Sequence, residues 1–292
     1  MVAPYTFVEK HLIAYNEGYQ ITIGGEGQFA YFTNISTERI YQRLLSPLWS
    51  ASSSVAYKTS PVLWGTNGNP TGLCFKPDGT RLYVICNASD YVKQFDMPTP
   101  WDVSSIVDAG QFTFTLVRPD SYGITFNLDG TRMFVSHRSN GTYSNDRRGR
   151  LVQHDLSVPW DVTSASPAEE WNLYVYDPSS ILYDPAGLTF NNTGTRAYVT
   201  SLSDANVYIC HLATPWDVIS INNIELDWNK YDYSDSIDTQ IYAQWMSPDE
   251  SKLFVFGYDN DAYSYYMALF LAESPSSEVF WTNFRGQTEI IP

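Results

Sequence analysis

Residues 72–105 read GLCFKPDGTRLYVICNASDYVKQFDMPTPWDVSS, and this sentence is repeated along the chain. Residues 123–164 read GITFNLDGTRMFVSHRSNGTYSNDRRGRLVQHDLSVPWDVTS, and residues 187–220 read GLTFNNTGTRAYVTSLSDANVYICHLATPWDVIS. Two anchors fix the register: the Gly of Gly-Thr-Arg (Gly79, Gly130, Gly194) and the Trp of Pro-Trp-Asp (Trp101, Trp160, Trp216). The separation is 22 residues from Gly79 to Trp101 and again from Gly194 to Trp216. It is 30 from Gly130 to Trp160, so that copy carries an eight-residue insertion between Val135 and Leu151. The same ruler finds two degenerate copies, 20–53, where Gly27 to Trp49 is again 22, and 243–276, where Glu250 stands at the Gly position and the Trp is missing. Internal periods of this size mark repeat architectures.

Each unit divides into strands. In the second copy these are Leu73–Phe75, a turn at Pro77-Asp78-Gly79, then Arg81–Cys86 and Tyr91–Asp96. Asp-Gly between apolar runs is a strong hairpin signal. Pro100-Trp101-Asp102 then turns the chain, Pro setting φ and Asp capping its own turn. A fourth strand is expected at Gln111–Val117, with counterparts at Val55–Thr59, Glu170–Tyr176, Ile224–Trp228 and Glu278–Phe284. The segment Thr37–Leu45 has a helical look in isolation, but the ruler aligns it with a third strand. Five units of four strands predict an all-β, five-bladed β-propeller of four-stranded antiparallel blades in one domain, 1–292. A β-solenoid is the alternative, with coils of roughly 20–30 residues, shorter than these units. First strands should be innermost. One of the terminal runs, Tyr5–Glu9 or Glu278–Phe284, should complete a blade begun by the other.

Composition agrees. Of 292 residues, 16% are aromatic and 17% charged, a mixture suited to strands and incompatible with disorder. With 17 basic and 32 acidic residues the net charge is −15, which argues against nucleic acid and against an anionic membrane. No apolar run is long enough for a spanning helix, so no membrane insertion is expected. The N-terminus lacks the basic and apolar regions of a signal peptide. The three cysteines, Cys74, Cys86 and Cys210, lie in strand-like apolar runs and read as core thiols.

The pattern F-x-P-D-G-T-R-x-Y-V followed by D-L-x-x-P-W-D-V-S-S resembles a propeller repeat of phage tail, fibre and other virion proteins, and of large bacterial surface proteins. The resemblance covers the three strong copies and, more weakly, 20–53 and 243–276. It implies a virion-structural or attachment role in a protein made in the host cytoplasm, with other virion proteins and a host-surface glycan as partners. It transfers no catalytic residues. The Asp-Gly-Thr-Arg segment also looks like the repeats of lactonase-type propellers, whose units are shorter and more regular.

Repeated residues read as structure: glycines for the turn, tryptophans packed at blade rims or between blades, and Arg81, Arg132 and Arg196 paired with Asp102, Asp161 and Asp217. Function is then expected where the repeat breaks, on the face shared by the second-to-third loops and the connections between units. That face offers Trp64, Asn67, Asp120, Tyr122, His137, Arg138, Tyr183, Asp184, Tyr231, Asp235, Asp238 and Tyr258 as ligand-binding candidates. Aromatic planes cover sugar C–H faces while Asp and Asn bond hydroxyls. In the insertion, Arg147, Arg148 and Arg150 form a basic cluster in an acidic chain and are candidates for contact with an acidic partner. No nucleophile, phosphate-loop or metal motif is present, the four histidines lack ligand spacing, and no cofactor or metal is expected. Carboxylates for glycan or lactone hydrolysis cannot be picked from the sequence, which leaves a hydrolase, or a bacterial lectin-like adhesin, as the alternative.

Overall fold

The computed structural model describes residues 5–13, 20–64, 68–87, 91–114, 120–138, 149–166, 169–172, 184–202, 204–228, 239–259 and 264–272. The strands are β1 (Tyr5–Ile13), β2 (Ile21–Gly24), β3 (Phe29–Asn34), β4 (Arg39–Leu44), β5 (Val55–Thr59), β6 (Pro70–Phe75), β7 (Arg81–Cys86), β8 (Tyr91–Asp96), β9 (Val107–Thr113) and β10 (Ser121–Phe126). They continue as β11 (Arg132–His137), β12 (Arg150–Asp155), β13 (Glu169–Asn172), β14 (Pro185–Phe190), β15 (Arg196–Ser201), β16 (Asn206–Leu212), β17 (Ile221–Trp228), β18 (Thr239–Met246), β19 (Lys252–Asp259) and β20 (Ser264–Ala272). Five antiparallel sheets result: β2–β5, β6–β9, β10–β13, β14–β17, and a fifth in the order β18-β19-β20-β1.

The first strands touch in sequence, β2 to β6 to β10 to β14 to β18 and back to β2, so the five blades close into a ring with first strands at the axis. The close approach needs small residues. A Cβ on Gly72 would stand 1.9 Å from the Tyr122 carbonyl oxygen, and one on Gly123 would stand 2.2 Å from that of Ala186. The register shifts at these glycines in β6 and β10, a bulge that lets neighbouring backbones meet. Burial falls outward. β7 is buried at five of six positions because it is covered on both faces, whereas the outer β5 and β9 are mostly exposed.

Within the segment 37–45, Arg39–Leu44 form strand β4, as the repeat ruler requires. The Asp-Gly hairpins are five-residue connections in which Gly79 has φ +71° and Asp78 instead accepts hydrogen bonds from the Thr80 amide and hydroxyl. The outer position of the fifth blade belongs to β1, paired antiparallel with β20 from Tyr5↔Ala272 to Ile13↔Tyr265. The run 278–284, the other contender for that position, lies outside the described residues.

The repeated Trp is an interblade connector. Trp49, Trp101, Trp160 and Trp216 all have φ between 61° and 66°. Each donates its N–H to the carbonyl of the repeat glycine of its own blade and lays its ring across that glycine. The left-handed conformation turns the Trp carbonyl toward the preceding blade. Tyr31 and Gln42 of the first blade donate to Trp101 O at 2.8 and 2.9 Å. Tyr83 and Arg81 of the second donate to Trp160 O at 2.6 and 2.9 Å, and Arg132 of the third donates to Trp216 O at 2.8 Å. Aromatic rings pack along the same seams, as in Tyr83–Phe126 at 4.4 Å and Phe126–Trp160 at 5.3 Å.

Two sequence expectations are corrected here. The repeat arginines do not pair with the Pro-Trp-Asp aspartates. Arg81 pairs with Asp96 at 2.7 Å, Arg132 with Asp155 at 3.2 Å and Arg196 with Glu250 at 2.7 Å. The first two are direct cross-strand neighbours. Asp102 and Asp161 cap the 3-10 turns that follow them and reach back to Lys58 and Gln94 of the preceding blades. The second correction concerns Arg150, which belongs to β12 opposite His137 and not to a loop. Its neighbours Arg147 and Arg148 lie outside the described residues.

The fifth blade, lacking the Trp, solves the seam differently. The Glu250 carboxylate takes the place of the Trp carbonyl and receives both Arg196 and the Tyr198 hydroxyl. Tyr5 of the N-terminal strand, 3% exposed, supplies the missing aromatic, its hydroxyl donating to Glu250 O at 3.1 Å.

Candidate functional site

At the end of the axis where first strands begin, one residue precedes each strand and one follows the second strand of the same blade. These are Asn69 and Asn87, Asp120 and Arg138, and Asp184 and Leu202 in blades two to four. The backbone treats them alike: Asn87 N–H donates to Asn69 O at 3.1 Å, Arg138 to Asp120 at 2.8 Å and Leu202 to Asp184 at 2.9 Å. The fold thus fixes the geometry through main-chain bonds and leaves the side chains at these positions free to vary.

Those side chains step from blade to blade. Asn87 Nδ2 donates to Asp120 Oδ1 at 3.4 Å, and Arg138 Nε donates to Asp184 Oδ1 at 2.9 Å. Tyr122 also hydrogen-bonds Arg138. Burial weighs against the Arg138 charge, but the bonds and charges of Tyr122 and Asp184 outweigh it and raise its pKa. Asp120 is raised as well. Burial is the main cause and the Asp184 charge adds to it, overcoming the Asn87 hydrogen bond and the Arg138 charge. The result is a half-buried rim that presents amide, carboxyl, phenol and guanidinium groups together, with Asp184 already engaged by a cation.

The structure sorts the sequence-based candidates. It brings Asp120, Tyr122, Arg138 and Asp184 into one network and adds Asn87. It withdraws two others from solvent. Trp64 is 8% exposed, packed with Tyr91 at 6.2 Å and lying over Gly68, so its ring belongs to the core. His137 is 2% exposed, its Nδ1 3.0 Å from Ser121 Oγ and its ring edge-on to Phe114. Tyr258 takes the corresponding position in the fifth blade, opposite Gln240 in the β18–β19 ladder and edge-on to Tyr265 at 5.4 Å. Asn67, Tyr183, Tyr231, Asp235 and Asp238 lie outside the described residues. Among the described residues no group of three or more His, Cys, Asp or Glu is placed to hold a metal ion.

Sequence reasoning missed the buried glutamines Gln42, Gln94 and Gln153, which occupy one repeat position in the third strands. Their Oε1 atoms accept the amides of Val103, Val162 and Val218 across the seams at 3.0 to 3.3 Å. A recurrent Gln inside an apolar strand was the available signal.

No family model matches this sequence, and no curated protein does. Solved structures similar to this chain share low identity with it. A candidate 6-phosphogluconolactonase of Bacteroides uniformis is 16% identical with a TM-score of 0.44, covering 72% of this chain, which spans 53% of that protein's length. The Cps50 (Swd1) β-propeller domain of Myceliophteria thermophila is 12% identical with a TM-score of 0.45, covering 88% of this chain and 69% of its own. A chain of a nidogen/laminin complex is 10% identical with a TM-score of 0.49, covering 84% and 77%.

Proposed function

We propose that this propeller is a non-enzymatic virion component, a bacteriophage fibre, tail or capsid-decorating protein, that binds a host-surface glycan or a neighbouring virion protein. The virion assignment draws on the FxPDGTRxYV and PWDVSS repeat. The binding assignment draws on one structural observation: at the mouth of the axis, positions with identical backbone bonding carry different side chains, and these join into the Asn87–Asp120 and Arg138–Asp184 network. Neutral hydroxyl-rich ligands suit it, since Asn87, Asp120 and Tyr122 offer donors and acceptors beside an aromatic plane. Arg147 and Arg148 would add contact to an acidic surface, a salt-screened contribution to orientation and association rate.

The rival reading, a glycan- or lactone-hydrolysing enzyme, has one point in its favour: the raised pKa of Asp120, a property of general acids. A glycan array with the purified protein separates the two. Binding without turnover, weakened at least tenfold in Asn87→Ala and Asp120→Ala, is the expected result. Product release that Asp120→Asn abolishes would establish the enzyme instead.

A further inference from the structure

At the opposite end of the axis the first strands finish around a cavity of about 170 Å³. Cys74, Thr125 and Thr189 of three first strands line it together with Phe126, Phe190 and Trp216, and no charged side chain contributes. Its polar groups are largely engaged: Thr189 donates to Gln244, and the Asn127 and Asn191 amides hold their own turns. Leu128 stands at the rim, 60% exposed. The volume equals about six water molecules at ~30 Å³ each, room for one ring system. The occupant these walls select is uncharged and aromatic or aliphatic.

The chain itself carries such a group. By the repeat arithmetic the run EVFWTNF, 278–284, was a contender for the fifth blade's outer position, but Tyr5–Ile13 holds that position. The last described strand, β20, ends at Ala272, whose N–H donates to Ser251 O at 3.0 Å. Ser251 belongs to the same turn as Pro248, a residue of the cavity wall. The chain therefore leaves the fifth blade at the cavity end of the axis. A third strand stands two strand spacings, about 10 Å, from the first strand of its blade. The nine residues from Ala272 to Trp281 reach up to about 30 Å.

We propose that the segment 278–284 docks on its own propeller, with the Trp281 indole seated in the axial cavity. A single aromatic anchor in an apolar pocket is the usual centre of such a contact.

Cysteine cross-linking of the full-length protein tests this. Leu128→Cys combined with Thr282→Cys should form an intramolecular disulfide under mild oxidation, located by mass spectrometry. Val107→Cys, 55% exposed on β9, serves as the control partner and should give severalfold less. Adding Trp281→Ala to the Leu128/Thr282 pair should cut its yield severalfold. Equal yields at both sites, or a yield indifferent to Trp281→Ala, would overturn the proposal. So would cross-links found only between molecules, which would assign the cavity to a second copy. Chymotrypsin gives a check without added thiols: Leu128→Asp should speed cleavage within 280–284 about tenfold, and an unchanged rate counts against docking.

Discussion

A tryptophan at φ near +65° sits where side chains bearing Cβ are strained, and four of them do so here. The strain is offset because in blades two to four one residue then makes three contacts: its amide to the repeat glycine, its ring over that glycine, and its carbonyl to the preceding blade. Trp160→Ala keeps the amide and carbonyl but loses the ring, and should destabilise by about 3 kcal/mol. The unfolding midpoint measures it, and a neutral substitution would show the ring to be dispensable. Gly130→Ala attacks the same contact from the other side, since its Cβ would stand 2.2 Å from the Trp160 ring at φ +72°. Glu250 is the informative exception. Glu250→Gly restores the residue other blades use and relieves φ +59°, yet it should destabilise by about 1–3 kcal/mol because Arg196 and Tyr198 lose their acceptor.

Aspartates at the turns contribute sensitivity to acid. At Asp78, Asp102 and Asp161 burial is the largest influence and pushes the pKa up. Hydrogen bonds from Lys76 and Thr80, from Lys58 and Ser104, and from Thr163 and Gln94 together outweigh it. At Asp129 and Asp249 the largest influence is itself a hydrogen bond, from Thr131 and Ser247, and lowers the pKa. Asp78 is brought down to about 2. Carboxyls depressed in the folded state add stability above their unfolded value of 3.8, and that stability is lost as pH falls through the folded value. The melting temperature should therefore fall between about pH 4 and pH 2, and less steeply in Asp78→Asn. Asp120, raised in the folded state, runs the opposite way: its contribution is lost as pH rises through its folded pKa. The glutamine clamps belong to the same scale. Gln94→Leu leaves the Val162 amide and the Asp161 carboxylate short of partners and should cost about 1–3 kcal/mol, read from chemical denaturation.

Closure is a property of the whole ring. The N-terminal strand pairs along β20 and inserts Tyr5 beside Met246 and Glu250, so the fifth blade is assembled from both ends of the described chain. The Glu9 carboxylate accepts a hydrogen bond from the Ser50 hydroxyl and further bonds from the Ala51 amide and the Ser52 hydroxyl of the first blade, tying the seam where the ring closes. Deleting residues 1–13 should expose β20 as an open edge and lead to aggregation. Tyr5→Ala alone should destabilise by about 3 kcal/mol. A shift of the parent's elution peak to aggregate in size-exclusion chromatography reads the first and thermal unfolding the second; a truncated chain that elutes like the parent would mean the closing strand is expendable.

Blade number, strand order along each unit and the turn aspartates follow from the sequence alone, because each is set by local contacts that recur at fixed spacing. Gly79 and Trp101 meet within one blade, so a 22-residue separation records their contact. The interblade partners do not lie at such a spacing within a unit. Arg81 meets Trp160 O at a separation of 79 residues and Asp96 across a ladder, and only the angle between blades decides which carbonyl it reaches. The same holds for the mouth. The sequence marked Asp120, Tyr122, Arg138 and Asp184 as departures from the repeat, but their union with Asn87, and the retreat of Trp64 and His137 into the core, depend on how far each side chain stands from the axis once five sheets pack face to face. Local periodicity determined the ring; the packing of one blade against the next decided which of its side chains face water.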